Sequence, residues 1–119
     1  MQRKFRLTRS EDFKRVRRSG KSYAHPLVVL IVQKHDQPRA RTRVGVAAGR
    51  TVGTAVHRNR SKRLLREAMR TLLPETASNV DLLLIARPAL VSATLEQARQ
   101  ALIALLGRAQ LLTSPAHES

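Results

Sequence analysis

Residues 57–70 read His-Arg-Asn-Arg-Ser-Lys-Arg-Leu-Leu-Arg-Glu-Ala-Met-Arg. No glycine or proline interrupts them, so nothing local forbids a helix. Gly53 precedes the segment and Pro74 follows it, which predicts a helix over about residues 54–73. At about 100° per residue, Leu64, Leu65, Ala68, Met69 and Leu72 gather on one side. Asn59, Lys62, Arg63, Arg66 and Arg70 gather on the other, with Arg58 and Arg60 nearer the boundaries. A chain with such a helix must supply an apolar surface for it to cover. Its other face carries Arg58, Lys62, Arg66 and Arg70 in an i, i+4 row, where like charges repel. A solvated face is the plain reading of a charge run. Here the run is nearly all one sign and mostly Arg, whose fork matches phosphate geometry, and that favours a polyanion.

Charge distribution supports the same partner. Residues 1–70 hold 20 Lys/Arg against 4 Asp/Glu, whereas residues 71–119 hold 3 against 4. The +15 net charge is therefore confined to one part of a chain short enough to be one domain, 1–119. Such a footprint points to nucleic acid. An anionic membrane is the weaker alternative, since no apolar run approaches the ~18 residues of a membrane span. The basic N-terminus lacks the apolar core of a signal peptide, and Glu11 and Asp12 argue against a transit peptide. Cysteine is absent, so there is no disulfide framework. The expected location is the cytoplasm.

Residues 1–8 form a basic arm around Phe5 and Leu7. Thr8-Arg9-Ser10-Glu11 fits a capping box, predicting a helix over about residues 9–18 closed by Gly20. Phe13 and Val16 share one face of it. Phe13 reads more readily as core than as a base-stacking platform. Residues 21–25 look extended and stop at Pro26. The aliphatic run 27–32 predicts a central strand covered on both faces. Residues 34–43, with Pro38, form a polar surface loop. Residues 43–48 form a second strand, expected to pair antiparallel with the first as a hairpin. Gly49 to Thr54 is a turn into the basic helix, and lacks the Walker pattern of a nucleotide loop. Residues 81–87 are a third aliphatic strand, stopped by Pro88. Thr94-Leu95-Glu96-Gln97 is another capping box, opening a helix with Leu95, Ala98, Leu102, Leu105 and Leu106 on one face. Residues 113–119 are expected to fray. The order α-β-β-α-β-α predicts an α+β fold with helices on one face of a sheet.

Catalytic constellations are poor. His25, His35, His57 and His117 are scattered, without zinc spacing. The carboxylates do not suggest a two-metal nuclease cluster. With only Phe5, Phe13 and Tyr23 as aromatics, single-strand binding would rest on charge and depend strongly on salt.

The ordered run Arg58-Asn59-Arg60-Ser61-Lys62-Arg63-Leu64-Leu65-Arg66-Glu67 resembles the signature of the bacterial ribonuclease P protein subunit. Arg43-Val44-Gly45-Val46, Gly53 and Ala55-Val56 resemble the segment that leads into it. Arg6-Leu7 with Glu11-Asp12-Phe13, and Leu83 to Pro88, resemble its flanking stretches, so the likeness covers about residues 3–112. It implies a small α/β sandwich, similar to a ribosomal-protein domain, with a left-handed βαβ crossover. It implies a protein that binds a catalytic RNA and the 5′ leader of precursor tRNA, and assists Mg²⁺-dependent removal of that leader. Catalysis would lie in the RNA, which would hold most of the Mg²⁺. The protein itself would hold no cofactor or metal, use no catalytic side chain, and need no membrane or obligate protein partner. By position, Arg58, Asn59, Arg60, Lys62, Arg63, Arg66 and Arg70 would meet the catalytic RNA. Phe13, Arg17, Val28, Ile31 and Arg50 would line a leader cleft between the first helix and the sheet, with Tyr23 as a compensating aromatic. Family members often carry aromatics where this chain has Arg17, Val28 and Ile31, and Gly49-Arg50-Thr51 replaces a Ser-Lys-Lys-like segment. What carries over at the cleft is electrostatic binding. A structural RNA-binding protein, such as a ribosomal component, shares the composition and fold. A DNA-binding regulator would need a recognition helix after a tight helical turn.

Overall fold

The computed structural model describes residues 3–35 and 41–112. The expectations for Pro38 and for residues 113–119 fall outside them. Three helices, α1 (Ser10–Ser19), α2 (Ala55–Arg70) and α3 (Leu95–Arg108), surround a sheet of four strands: β1 (Lys21–Ala24), β2 (Val28–Lys34), β3 (Arg43–Ala48) and β4 (Val80–Ala86). Short 3-10 turns at Arg3–Phe5, Arg50–Val52, Leu73–Glu75 and Pro88–Ser92 join them. Among the described residues no helix is long and apolar enough to cross a membrane.

The sheet order is β1-β2-β4-β3. The expected hairpin between residues 27–32 and 43–48 does not form. β4 inserts between β2 and β3, antiparallel to the first and parallel to the second. β4 is apolar on both faces and almost wholly buried, so a central place suits it better than an edge. β2 instead makes its hairpin with β1, the stretch before Pro26, adding a fourth strand to the expected three.

Alternation along the strands sorts the core into two. Val28, Leu30, Val32, Val44, Val46, Leu82 and Leu84 point to one side, where α2 and α3 contribute Leu65, Ala68, Met69, Leu102, Leu105 and Leu106. Ile31 and Leu83 point to the other, where Leu7 and Val16 cover them and Phe13, Val29, Ala47 and Ile85 pack alongside. The expectation of helices on one face is thus corrected: α1 lies on the face opposite α2 and α3. A strand such as β2, aliphatic at successive positions, requires that second cover, as expected for it alone.

Thr94 caps α3 as predicted, accepting from the Gln97 N–H while the Gln97 side chain accepts from the Thr94 N–H. The capping box predicted at Thr8 is absent. Arg9 is the N-cap of α1 and makes no side-chain cap bond. Gly20 closes α1 in an extended conformation. A Cβ there would stand 2.6 Å from the Ile31 side chain and 2.6 Å from the Val16 carbonyl, so close approach to β2 requires glycine. In α2, Leu65 is fully buried. Leu65→Ala is expected to lower unfolding free energy by about 2–5 kcal/mol, measured by urea denaturation.

Candidate nucleic-acid interface

Helix α2 starts at Thr54, whose hydroxyl accepts from the His57 N–H at 3.3 Å. Gly53 before it has φ 129°, a region that L side chains rarely adopt, and a Cβ there would meet His57 Nδ1 at 2.8 Å. From this turn the helix runs back over the sheet and packs against β3 and β4. Leu65, Ala68, Met69 and Leu72 are buried, with Ser61 beside them. Asn59, Arg60, Arg63 and Arg70 are exposed, and Arg58, Lys62 and Arg66 are half-buried. The seven residues assigned to the catalytic RNA therefore lie on or beside the open face of one helix.

Their charges are mostly free. Arg70 is the exception: Glu67 Oε1 accepts from its Nη2 at 2.6 Å and its Nε at 3.2 Å. The hydrogen bonds from Arg70 hold the Glu67 carboxyl below the usual range. Among the described residues Arg58, Arg60, Lys62, Arg63 and Arg66 pair with no carboxylate. Burial first, then the charge of Arg6, pushes the Arg66 guanidinium below its ordinary value. Arg6 reaches it because the arm docks on the edge of the sheet: the Leu7 N–H donates to the Val44 carbonyl at 2.8 Å, and Arg6 pairs with Val44 in parallel. Arg6, Thr8, Phe13 and Arg66 thus line one small cavity between the arm, α1 and α2. Two guanidiniums with no carboxylate partner among the described residues meet at one cavity, which suits a polyanion.

The second surface lies between α1 and the sheet. Strand register places Gln33 and Arg43 on either side of Asp81. Asp81 is fully buried. Its Oδ2 accepts from Arg15 Nη2 at 2.7 Å and Arg43 Nη2 at 3.0 Å; Oδ1 accepts from Arg43 Nε at 3.0 Å and meets His35 Nε2 at 2.7 Å. Arg15 also donates to Gln33 and to Asp12. Burial would raise the Asp81 pKa, but hydrogen bonds from Arg43, Arg15 and His35 outweigh it and hold the carboxyl below its usual range. This network ties α1 to the start of β4.

Phe13 and Arg17, one turn apart, lie on the flank of α1 opposite Arg15. They look along the sheet toward its other end, over Val29, Ala47 and Ile85, which are only partly buried. The structure brings Phe13 and Ile31 into one cluster, and Arg17 is exposed one turn on from Phe13 in α1. Three other residues expected at the cleft are not brought there. Val28 is fully buried in the main core, on the opposite face. Tyr23 packs on that same opposite side, its ring centroid 5.5 Å from Lys21 Nζ and 5.9 Å from the Arg108 guanidinium carbon. Arg50 is exposed in a turn packed against residues 88–92 and α2. The reason is the two-residue period of a strand: Val28 and Val29 face opposite ways. Val29, Ala47, Ile85 and the Asp81 network lie between α1 and the sheet and are not among the residues expected there. A lone acid opening an aliphatic strand was the available signal for the network. Gly45 lets Phe13 settle, since a Cβ there would lie 2.8 Å from its ring. Gly45→Ala is expected to displace that ring and lower stability by about 1–3 kcal/mol, read from the Phe13 ring resonances and a denaturation curve.

Comparison with known proteins gives the family. The family model described as Ribonuclease P matches residues 1–110. The ribonuclease P protein component of Chloroflexus aurantiacus is 40% identical, with all of this chain and 87% of the relative covered. That of Herpetosiphon aurantiacus is 43% identical over 93% of this chain and 89% of the relative. Among solved structures, the Staphylococcus aureus RNase P protein superposes with a TM-score of 0.78 at 26% identity, covering 91% of this chain and 97% of that one. The Thermotoga maritima protein gives 0.75 at 28% identity, over 87% and 96%.

Proposed function

The chain belongs to the ribonuclease P protein family, whose role is RNA binding in tRNA processing, and on that premise we propose how its two surfaces divide the work. The open face of α2 binds the catalytic RNA. The observation that carries this is the set of five cations, Arg58, Arg60, Lys62, Arg63 and Arg66, on one helix face with no carboxylate partner among the described residues. Guanidiniums not already neutralised can take phosphates, releasing counterions as they do so. Asn59 adds an exposed amide that can donate and accept.

The groove between α1 and the sheet takes the 5′ leader of precursor tRNA. Phe13, Val29, Ala47 and Ile85 give it an apolar floor, and the exposed Arg17, one turn on from Phe13 in α1, supplies positive charge. Bases are held there by apolar contact and charge. The protein supplies binding and the RNA subunit supplies catalysis: the carboxylates at this groove, Asp12 and Asp81, already hold Arg15 and Arg43. Mg²⁺ would be held mainly by the RNA, and these cations would lower the repulsion between the two RNAs. The working compartment is the cytoplasm.

Reconstitution tests the assignment. The purified protein alone is expected to leave precursor tRNA intact. Added to the matching catalytic RNA, it should raise the cleavage rate, most at low Mg²⁺. No stimulation at any Mg²⁺ concentration would sink the proposal.

A further inference from the structure

A cavity of about 630 Å³ lies beyond the C-terminal end of α2, away from the α1 groove. Phe5, Arg41, Thr42, Arg70, Leu73, Pro74, Thr76 and Ser78 line it. Its size is that of sites that enclose small ligands, about 300–1,000 Å³. The arm positions one wall. The Arg6 N–H donates to the Arg3 carbonyl, and the pairing of Arg6 with Val44 sets Phe5 beside the start of β3. The 3-10 turn at Leu73–Glu75 supplies the apolar floor. Thr42 and Thr76 donate their hydroxyl protons to the Ala77 and Leu72 carbonyls, which leaves their oxygens facing as acceptors.

Two cations line this apolar hollow and a third stands over its ring. Arg41 is exposed at its edge. Glu67 grips Arg70 through Nε and Nη2, which orients the guanidinium and leaves Nη1. Lys4 Nζ stands 5.2 Å from the Phe5 ring centroid. An aromatic ring beside an apolar floor accepts a flat base by stacking, and guanidiniums take the attached phosphate. The cavity is also continuous with the basic face of α2, since Arg70 closes the row of Arg58, Lys62 and Arg66.

We propose that this cavity holds one unstacked nucleotide of the RNA bound along α2, its base against Phe5 and its phosphate between Arg41 and Arg70. The inference rests on the RNA-binding reading of α2. Residues 113–119 follow Leu112, which pairs with Thr76, and are the competing occupant. Continuity with the basic face of α2, where the polyanion is proposed to lie, favours RNA.

Nuclear magnetic resonance titration of the full chain with 5′-AMP tests the site. Shifts are expected at Phe5, Leu73 and Thr76. Ribose 5-phosphate, which lacks the base, should bind about tenfold more weakly. Phe5→Ala should weaken 5′-AMP about tenfold and Arg41→Gln about fivefold, the second variant serving if the first disturbs the arm. A single-stranded RNA 12-mer should displace the nucleotide from these residues. Shifts confined to Phe13, Val29 and Ile85, or unchanged affinity in both variants, overturn the proposal. Failure of the 12-mer to displace 5′-AMP makes this a free-nucleotide site and overturns it as well. So do nuclear Overhauser contacts from the Phe5 ring to residues 113–119, which would give the cavity to the tail. In reconstitution, Phe5→Ala should raise the apparent Kd for the catalytic RNA about tenfold. A wild-type chain that stimulates cleavage while Phe5→Ala assembles equally well defeats this inference alone. A wild-type chain that never stimulates defeats the RNA-binding reading beneath it.

Discussion

Asp81→Asn is expected to lower unfolding free energy by about 3 kcal/mol and to loosen α1 from the sheet. The carboxylate is fully buried and gathers Arg15, Arg43 and His35. Asparagine keeps the shape but loses the charge that faces two guanidiniums. The figure sits at the low end for a broken buried pair because Arg15 and Arg43 remain about one-third exposed and can turn to water. The pH dependence has a definite sign. The folded-state pKa of Asp81 is depressed, so its contribution is complete above the unfolded value of about 3.9. It is lost as pH falls below that value and through the depressed folded one. Wild type should therefore lose stability on acidification more steeply than Asp81→Asn, with the difference confined to pH below about 4. Urea denaturation of both proteins from pH 3 to 7 measures it, and parallel curves would remove Asp81 from the account. Because the network sets where α1 sits over Val29 and Ile85, the variant should also lose affinity for single-stranded leader RNA at neutral pH.

The double substitution Arg60→Ala, Arg63→Ala should weaken assembly with the catalytic RNA while leaving the fold intact. Each arginine is exposed and free of carboxylates among the described residues, so neither supports the core. Each is assigned a charge-assisted bond of about 1–3 kcal/mol. Removing two phosphate contacts should also flatten the salt dependence, by about 0.7–0.9 per contact in the slope of log K against log salt. Filter binding across a salt series, beside a melting curve, separates the two effects. An unchanged slope with unchanged affinity would remove these arginines from the interface. Arg70→Ala offers an internal contrast: its charge is already shared with Glu67, so its loss should cost less at the α2 surface.

The two surfaces differ in how far they could be read from the chain. The division of α2 into a buried and an open face follows from helical period alone, and the structure reproduces it, with Leu65, Ala68 and Met69 buried and Asn59, Arg60 and Arg63 exposed. The capping box at Thr94 is equally local and equally legible. The one at Thr8 is not, because the arm is drawn onto the edge of β3 by the Leu7–Val44 hydrogen bond, which makes Arg9 the N-cap. Period also exists in β2, but with apolar residues at successive positions it carries no sign. Nothing between Leu27 and Val32 distinguishes the face that α1 covers from the face that α2 and α3 cover. Val28, placed at the groove by position in the family resemblance, packs in the main core, and its neighbour Val29 packs on the face that α1 covers.

By itself, then, the sequence determined the elements whose geometry is set by neighbours along the chain: the basic helix, its charged face, the ordered Arg-Asn-Arg-Ser-Lys-Arg run and the family it signals. Tertiary structure alone decided which strands are adjacent, and with them the groove. β4 lies between β2 and β3 because a strand apolar on both faces gains most where both faces are covered. That placement sets Gln33, Asp81 and Arg43 side by side, and Arg15 can then tie α1 above them. No local rule brings those four residues together. Their meeting depends on strand order and register, which burial across the whole sheet selects.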